Sequence, residues 1–391
     1  MSHTNPFTFG ALALDRAFTD REEELRELVA DMRNGQDVLV YAPRRYGKSS
    51  LVLRAAKKAA REKVLVAYCD LMRTPTKERL AASLARTIHE DIDSELGEAA
   101  ERAASLFRNL RLKPTMEVDT DGKLRFSFQA TRRRTAIDDT IEDLLALPGQ
   151  LAAERKRRVA VIFDEFQEIL ALDPKYPNLM RAVFQTQPEV GHVYLGSKRH
   201  LLDRIFDDEN EPFWRSAKRI EIGMIAPAKF GRFVRKRFEA TDRGLRDEAL
   251  NRLLEATLGH PYGTQELAYF VWELVPEGRF AHLVDVENAL GQALRSEHSH
   301  FSKIWDDAPA SQRLVMLALA TEPTSAPYSE LYAERFDLPP KPTLQTALAA
   351  LVKKELVARQ DDGEYRIVEP FLADWLVRCL LYTSPSPRDR S

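Results

Sequence analysis

The sequence predicts an α/β fold: a parallel sheet with helices on both faces, followed by a helical segment and a winged helix. Three observations predict it. Short apolar runs alternate with helical stripes through about the first 225 of the 391 residues. One of these runs leads into a Gly-Lys-Ser loop, and another ends in two adjacent acids. Beyond residue 226 the strand signal stops, and helical stripes continue until a last short hairpin.

Length and charge bound the answer before any motif does. A chain of 391 residues holds two or three domains, at roughly 100–200 residues each. Charged residues make up 30% and nearly cancel, leaving a net charge of −2. That balance gives no general pull toward nucleic acid or an anionic membrane. Two cysteines, Cys69 and Cys379, cannot form a disulfide framework, which favours a reducing compartment. No apolar run reaches the roughly 18 residues of a membrane span. The N-terminus lacks the apolar core of a signal peptide. A soluble, cytoplasmic protein is expected.

Residues 1–17 read as a partly extended lead-in. A helix then starts near Phe18, with Thr19 or Asp20 as its cap and Glu22, Glu23 and Glu24 at the positive end of its dipole. Leu25, Leu28, Val29 and Met32 form its apolar stripe. Val38 to Tyr41 reads as a buried strand. A loop follows, and Ser49 opens a helix through Leu51, Val52, Leu53 and Ala55.

Strand, loop and helix in this order, with the spacing G-x-x-x-x-G-K-[ST], describe a phosphate-binding loop. Ala42 stands at the first glycine position; Pro43, Arg44, Arg45 and Tyr46 intervene; Gly47, Lys48, Ser49 and Ser50 complete it. Backbone N–H groups and the helix N-terminus suit phosphate oxygens. Gly47 lets the backbone come close, Lys48 reaches the β- and γ-phosphates, and the Ser49 hydroxyl is a Mg²⁺ ligand. Ala42 is tolerated there unless the turn demands positive φ.

Val64 to Asp70 is a second buried strand, and a helix is expected from Thr76 to about Asp93. Alternation on both sides of an Asp-Gly turn between Leu112 and Gln129 signals a β-hairpin. It is read as an insertion over 105–136 that projects from the domain. Arg132, Arg133 and Arg134 form either a solvated face or a partner contact. A helix from about Thr135 to Glu154 leads into the strand ending in Asp164 and Glu165. Two acids at the carboxyl edge of a parallel sheet stand where ligands bind. Asp164 would hold the Mg²⁺ shell, and Glu165 would orient or deprotonate water. His192 to Ser197 is a further strand, whose Ser197 either meets the γ-phosphate or the lytic water or caps a helix. Arg215 follows in Pro-Phe-Trp-Arg-Ser, and Ile220 to Ile225 is the fifth strand candidate.

Residues 226–300 carry only helical stripes, broken at Gly259-His-Pro-Tyr-Gly263. His260 reads as structural, and Pro261 could lie against a base. Helices over 312–320, 329–336 and 343–354, then a hairpin around an Asp-Asp-Gly turn, make a winged helix over 301–380. Residues 309–379 hold eight Lys/Arg against ten Asp/Glu, net −2, whereas DNA binding normally needs a basic footprint. Residues 381–391 shift to low complexity and resemble the translation of a sequencing adapter, so they are read as a spurious or disordered tail, with the deduced chain truncated near Cys379.

Phe18-x-x-Arg21-x-x-x-Leu25, Ala42 to Ser50, Phe163-Asp-Glu-Phe-Gln167, Leu195-Gly-Ser197 and Gly259-His-Pro261 occur in this order. Over roughly residues 7–380 the chain resembles a prokaryotic AAA+-related P-loop NTPase of the archaeal ATPase group. That group lies near the signal-transduction ATPases with numerous domains (STAND) and the origin-recognition initiators. The resemblance implies an ATPase domain over 1–225, a helical lid over 226–300 and a winged helix. It implies ATP and Mg²⁺ as cofactors, Phe18, Arg21 and Pro261 near the nucleotide, and Ser197 as a first sensor. Arg215 falls where related ATPases direct an arginine at the phosphates, sometimes of a neighbouring subunit. Ala42 departs from the pattern, and no lid arginine stands out as a second sensor. Two functions follow as expectations. One is an ATP/ADP switch read by a protein partner, with nucleotide-dependent self-association. The other, less favoured, is a DNA-binding ATPase.

Overall fold

The computed structural model describes residues 3–12, 18–93, 106–119, 124–128, 134–360 and 362–381. Four of the apolar runs and the charged segment Lys218–Glu221 form one parallel sheet: β1 (Val38–Tyr41), β2 (Leu65–Asp70), β5 (Val159–Asp164), β6 (Val190–Gly196) and β7 (Lys218–Glu221). Their order across the sheet is β2-β5-β6-β1-β7. β5 and β6 are buried along their whole length, as central strands covered on both faces must be. Register aligns Asp70 with Asp164 and Tyr41 with Gly196. The loops after β1, β2, β5 and β6 therefore leave from one edge.

The chain divides into two compact units. One comprises Arg21–Arg44 and Lys48–Ile222. The other runs from Gly223 onward and includes Arg45–Gly47 and the N-terminal segment up to Asp20. The core of the first unit joins the sheet to helices Lys77–Thr87, Arg134–Arg155 and Tyr176–Phe184 through Leu84, Leu144, Phe163 and Phe184.

Several elements differ from expectation. Helix Glu22–Asn34 is not capped by Thr19 or Asp20; Arg21 holds the N-cap position at φ 71° with no side-chain cap. Asp20 instead accepts from Lys229 at 2.8 Å. The expected Thr76–Asp93 helix has Thr76 as its cap but turns π-helical from Ile88. The hairpin pairs β3 (Thr115–Val118) with β4 (Leu124–Ser127), antiparallel. It does not simply project: Leu124 and Phe126 are buried in the unit's core beside Phe107. Alternation gave the strands but not the surface they cover. The fifth strand is Lys218–Glu221 rather than Ile220 to Ile225: its pairing with the four-residue β1 starts at Lys218 opposite Val38 and stops at Glu221 opposite Tyr41. Arg132 and Arg133, the hairpin turn and the tail from 382 lie outside the described residues.

The second unit is helical: Pro227–Glu239, Asp247–Thr257, Pro261–Leu274 and Leu283–Asp306. A two-residue parallel pair, Gly244–Leu245 with Phe280–Ala281, is too short to show as a strand in the sequence. The lead-in is anchored here, with Phe7 buried against Phe233 and Phe238. Helix Leu283–Asp306 runs through the expected boundary at 300, because its apolar stripe continues from Val286 to Phe301. Helices Ala310–Thr321, Glu330–Arg335 and Lys341–Lys353, then the antiparallel strands Val357–Arg359 and Tyr365–Ile367, complete the winged helix.

Candidate functional site

The site in the first unit starts at the phosphate loop. Helix Lys48–Arg61 begins at Lys48, one residue earlier than the sequence suggests. Positive φ falls on Arg45 (68°) and Gly47 (83°). Ala42 is not among the residues with positive φ, so the missing first glycine imposes no strain. Lys48 is 6% exposed, and its Nζ lies 3.4 Å from the carbonyl oxygen of Ala42, curled back over the loop.

Two carboxylates end β5, and each gathers its own donors. Ser49 Oγ donates to Asp164 Oδ2 at 3.0 Å. The Tyr68 hydroxyl donates to the same oxygen. Burial first, then the Asp164 charge, pushes the Tyr68 phenol upward, so it stays a protonated donor. The other oxygen of Asp164 accepts from the backbone N–H of Glu165 at 2.9 Å. Asp164 is thus held at both ends.

Glu165 follows at φ 52°, ψ 50°, a left-handed residue that turns the chain out of β5. Its Oε2 accepts from Ser197 Oγ at 2.9 Å and from Gln167 Nε2 at 2.5 Å. Ser197 is fully buried. Of the two sequence readings for Ser197, the helix cap is not realised: Lys198 holds that position without a side-chain cap, and its amine pairs with Glu168 at 2.8 Å. β6 lies beside β5, which brings Ser197 to Glu165 although 32 residues separate them.

The remaining candidates divide between the units. Arg21 is 8% exposed and pairs with Glu24 at 3.2 Å. Arg215, at φ 51°, is exposed, with its guanidinium 4.9 Å from the Trp214 ring. Arg44 is exposed and Ser50 buried. Phe18 and Pro261 belong to the second unit, as do Arg45, Tyr46 and Gly47. There Arg45 pairs with Glu369 at 2.7 Å and Glu297 at 3.6 Å, and lies 4.3 Å from the Tyr262 ring. Tyr46 is buried edge-on against His260. Pro261 opens helix Pro261–Leu274, and His260 caps it by accepting from the Gly263 N–H at 3.0 Å. Burial and then Arg45 push the His260 imidazole down to about 3, which keeps it a neutral acceptor. That matches its reading as structural.

Tyr68 and Gln167 are members of the site that sequence reasoning did not single out. Gln167 was visible beside the two acids, but nothing local says that its amide turns back. Tyr68 is two residues from the end of β2, and its reach to Asp164 depends on β2 neighbouring β5.

A parallel sheet, a glycine-lysine-serine loop opening a helix, and an acidic strand end bonded to that loop's serine define a P-loop ATPase fold. Residues 18–262 match a family model described as an ATPase domain predominantly from Archaea. Residues 299–378 match one described as a "probable winged helix domain". The chain belongs to this archaeal ATPase family and is an ATPase. Among solved structures, the Walker-type ATPase PABY2304 of Pyrococcus abyssi is similar at TM-score 0.66 and 18% identity, over 93% of this chain and 97% of that one. The Aeropyrum pernix ORC2 protein, in its ADPNP-ADP complexes, is similar at TM-score 0.52 and 14% identity, over 96% and 100%. At such identities the likeness is one of fold. No curated protein matches the chain.

Proposed function

We propose that this ATPase is a nucleotide-dependent switch of the AAA+ and STAND kind, cytoplasmic, with a protein partner reading its state. The observation that carries the reading is Arg45. It lies within the phosphate loop, and it is held by Glu297 of the helical segment and Glu369 at the start of helix Pro370–Trp375. Arg45–Gly47 are grouped with the second unit, and within that unit Arg45 joins the segments read as lid and winged helix. The division into an ATPase domain to 225, a lid and a winged helix is part of this reading. So are Phe18, Arg21 and Pro261 at the base, and Arg215 directed at phosphates, including those of a second copy.

In the proposed mechanism Lys48 leaves the Ala42 carbonyl and meets the β- and γ-phosphates, with loop N–H groups from Arg44–Ser50 around them. Ser49 Oγ and Asp164 Oδ2, already 3.0 Å apart, are the hard oxygen donors that Mg²⁺ takes beside phosphates and water. When bound, the ion would neutralise charge on the phosphates. Glu165 takes a proton from the attacking water, and Ser197 holds its carboxylate in place. Among the described residues no helix is long and apolar enough to cross a membrane.

Separating binding from hydrolysis tests the assignment. Lys48→Ala should weaken ATP binding as well as turnover. Glu165→Gln should bind ATP nearly as well as the parent and lose about 10²-fold or more in single-turnover rate, the scale of a general base. Parental hydrolysis by Glu165→Gln would remove the base assignment. Parental ATP affinity in Lys48→Ala would show that the loop is not the phosphate site.

The DNA-binding reading has one observation on its side: Lys341 and Lys353 are exposed on helix Lys341–Lys353. Against it, Arg366 in the wing is paired with Asp362 and Glu364, at 2.9 and 2.6 Å. The segment's net charge of −2 favours a protein surface.

A further inference from the structure

Gln167 occupies a place that its chemistry alone does not require. It lies in the 3₁₀ turn Phe166–Glu168, directly after the left-handed Glu165. That turn carries the amide back toward the strand ends, where Gln167 is 1% exposed. Its Nε2 donates to Glu165 Oε2 at 2.5 Å, beside the Ser197 hydroxyl at 2.9 Å. The amide oxygen has no hydrogen-bond partner. Burying an unpaired amide oxygen costs stability, so this side chain is a poor choice for stability alone. The neighbouring backbone makes room for it. A Cβ on Gly196 would stand 2.6 Å from Gln167 Oε1, so only glycine fits at the end of β6 while the amide keeps this place.

We infer that Gln167 is a positioning residue for the hydrolytic step, holding the Glu165 carboxylate in a fixed rotamer; this rests on the reading of Glu165 as the base. The chemistry follows from which oxygen is used. Both donors meet Oε2, so the carboxylate is oriented by one oxygen while Oε1 remains the atom to receive the proton of water. A leucine at 167 removes one of the two and fills similar space. A glutamate at 167 donates only while protonated and repels Glu165 once ionised.

The test compares Gln167→Leu, Gln167→Glu and Glu165→Gln by direct ATP binding, single-turnover hydrolysis across pH 5.5–8.5, and thermal unfolding. Gln167→Leu should bind ATP within about twofold of the parent and hydrolyse it about tenfold more slowly, the scale of one hydrogen bond to a charged group. Gln167→Glu should keep more of the parental rate at pH 5.5 than at pH 7.5, a trend that a packing defect would not produce. The inference is overturned if Glu165→Gln is slow while both Gln167 variants match the parent in rate and pH profile. It is also overturned if their rates fall only in step with ATP binding. Parental hydrolysis by Glu165→Gln would sink the base assignment itself, and the role of Gln167 with it.

Discussion

Glu266 offers a stability measurement whose sign the structure sets. It is fully buried in helix Pro261–Leu274, and neither carboxyl oxygen has a hydrogen-bond partner. Burial first, and then the charge of Glu297, push it up to about 8 from the ordinary 4.5, against the opposing pull of Arg45. The folded protein therefore binds a proton that the unfolded chain has released. The stabilisation is fully present below pH 4.5 and is lost as pH rises through about 8. Within that window the loss approaches about 1.4 kcal/mol per pH unit. Between pH 5.5 and 7.5 that amounts to at most about 2.7 kcal/mol, or roughly 5–10 °C in Tm for a unit of this size. Glu266→Gln keeps the shape and removes the titration. The amide's own unsatisfied groups shift its stability by a constant, so the informative quantity is the slope with pH. Trp272, Trp305 and Trp375 lie in the second unit and Trp214 in the first. Tryptophan fluorescence in a Trp214→Phe background thus reports the second unit. Relative to Glu266→Gln, the parent should lose Tm steadily from pH 5.5 to 7.5. Parallel Tm curves would show that Glu266 ionises in the folded protein without cost, and would refute the reasoning.

Three further outcomes are expected. Arg215→Ala should lower turnover more than ATP binding, and ATP with Mg²⁺ should promote self-association; a chain monomeric under all nucleotide conditions, with normal turnover in the variant, would make Arg215 structural. Duplex DNA should bind weakly and without sequence preference at physiological salt, and submicromolar binding abolished by Lys353→Glu with Lys354→Glu would favour the DNA-binding reading instead. Asp164→Asn should show a hydrolysis defect that high Mg²⁺ partly relieves, because it acts through the metal; a defect independent of Mg²⁺ would place Asp164 outside the metal shell.

How far the site could be read from the sequence depended on how local its geometry is. β1, the loop after it and the acidic end of β5 were legible because the chain itself supplies their neighbours. Lys48 follows Gly47, and Glu165 follows Asp164, whatever the rest of the sheet does. Strand order is different. Alternation marks each strand but not its neighbour, and Tyr68 reaches Asp164 only because β2 lies beside β5. Ser197 reaches Glu165 for the same reason on the other side. Its position at a strand end was visible, while its choice of Glu165 over the next helix was not. Backbone sign was the least legible feature. Arg21, Arg45, Glu165 and Arg215 all adopt positive φ, between 51° and 71°, without being glycine, and all were candidates on other grounds. Left-handed backbone costs such residues roughly 1–2 kcal/mol each, so packing and hydrogen bonds elsewhere must hold them there. At Glu165 those bonds are visible: its N–H is fixed by Asp164 and its carboxylate by Ser197 and Gln167. The left-handed turn is what brings Gln167 back to the residue two places before it. A helical or extended Glu165 would send that amide elsewhere, and the two carboxylates would lose the separate sets of donors that give them different chemistry.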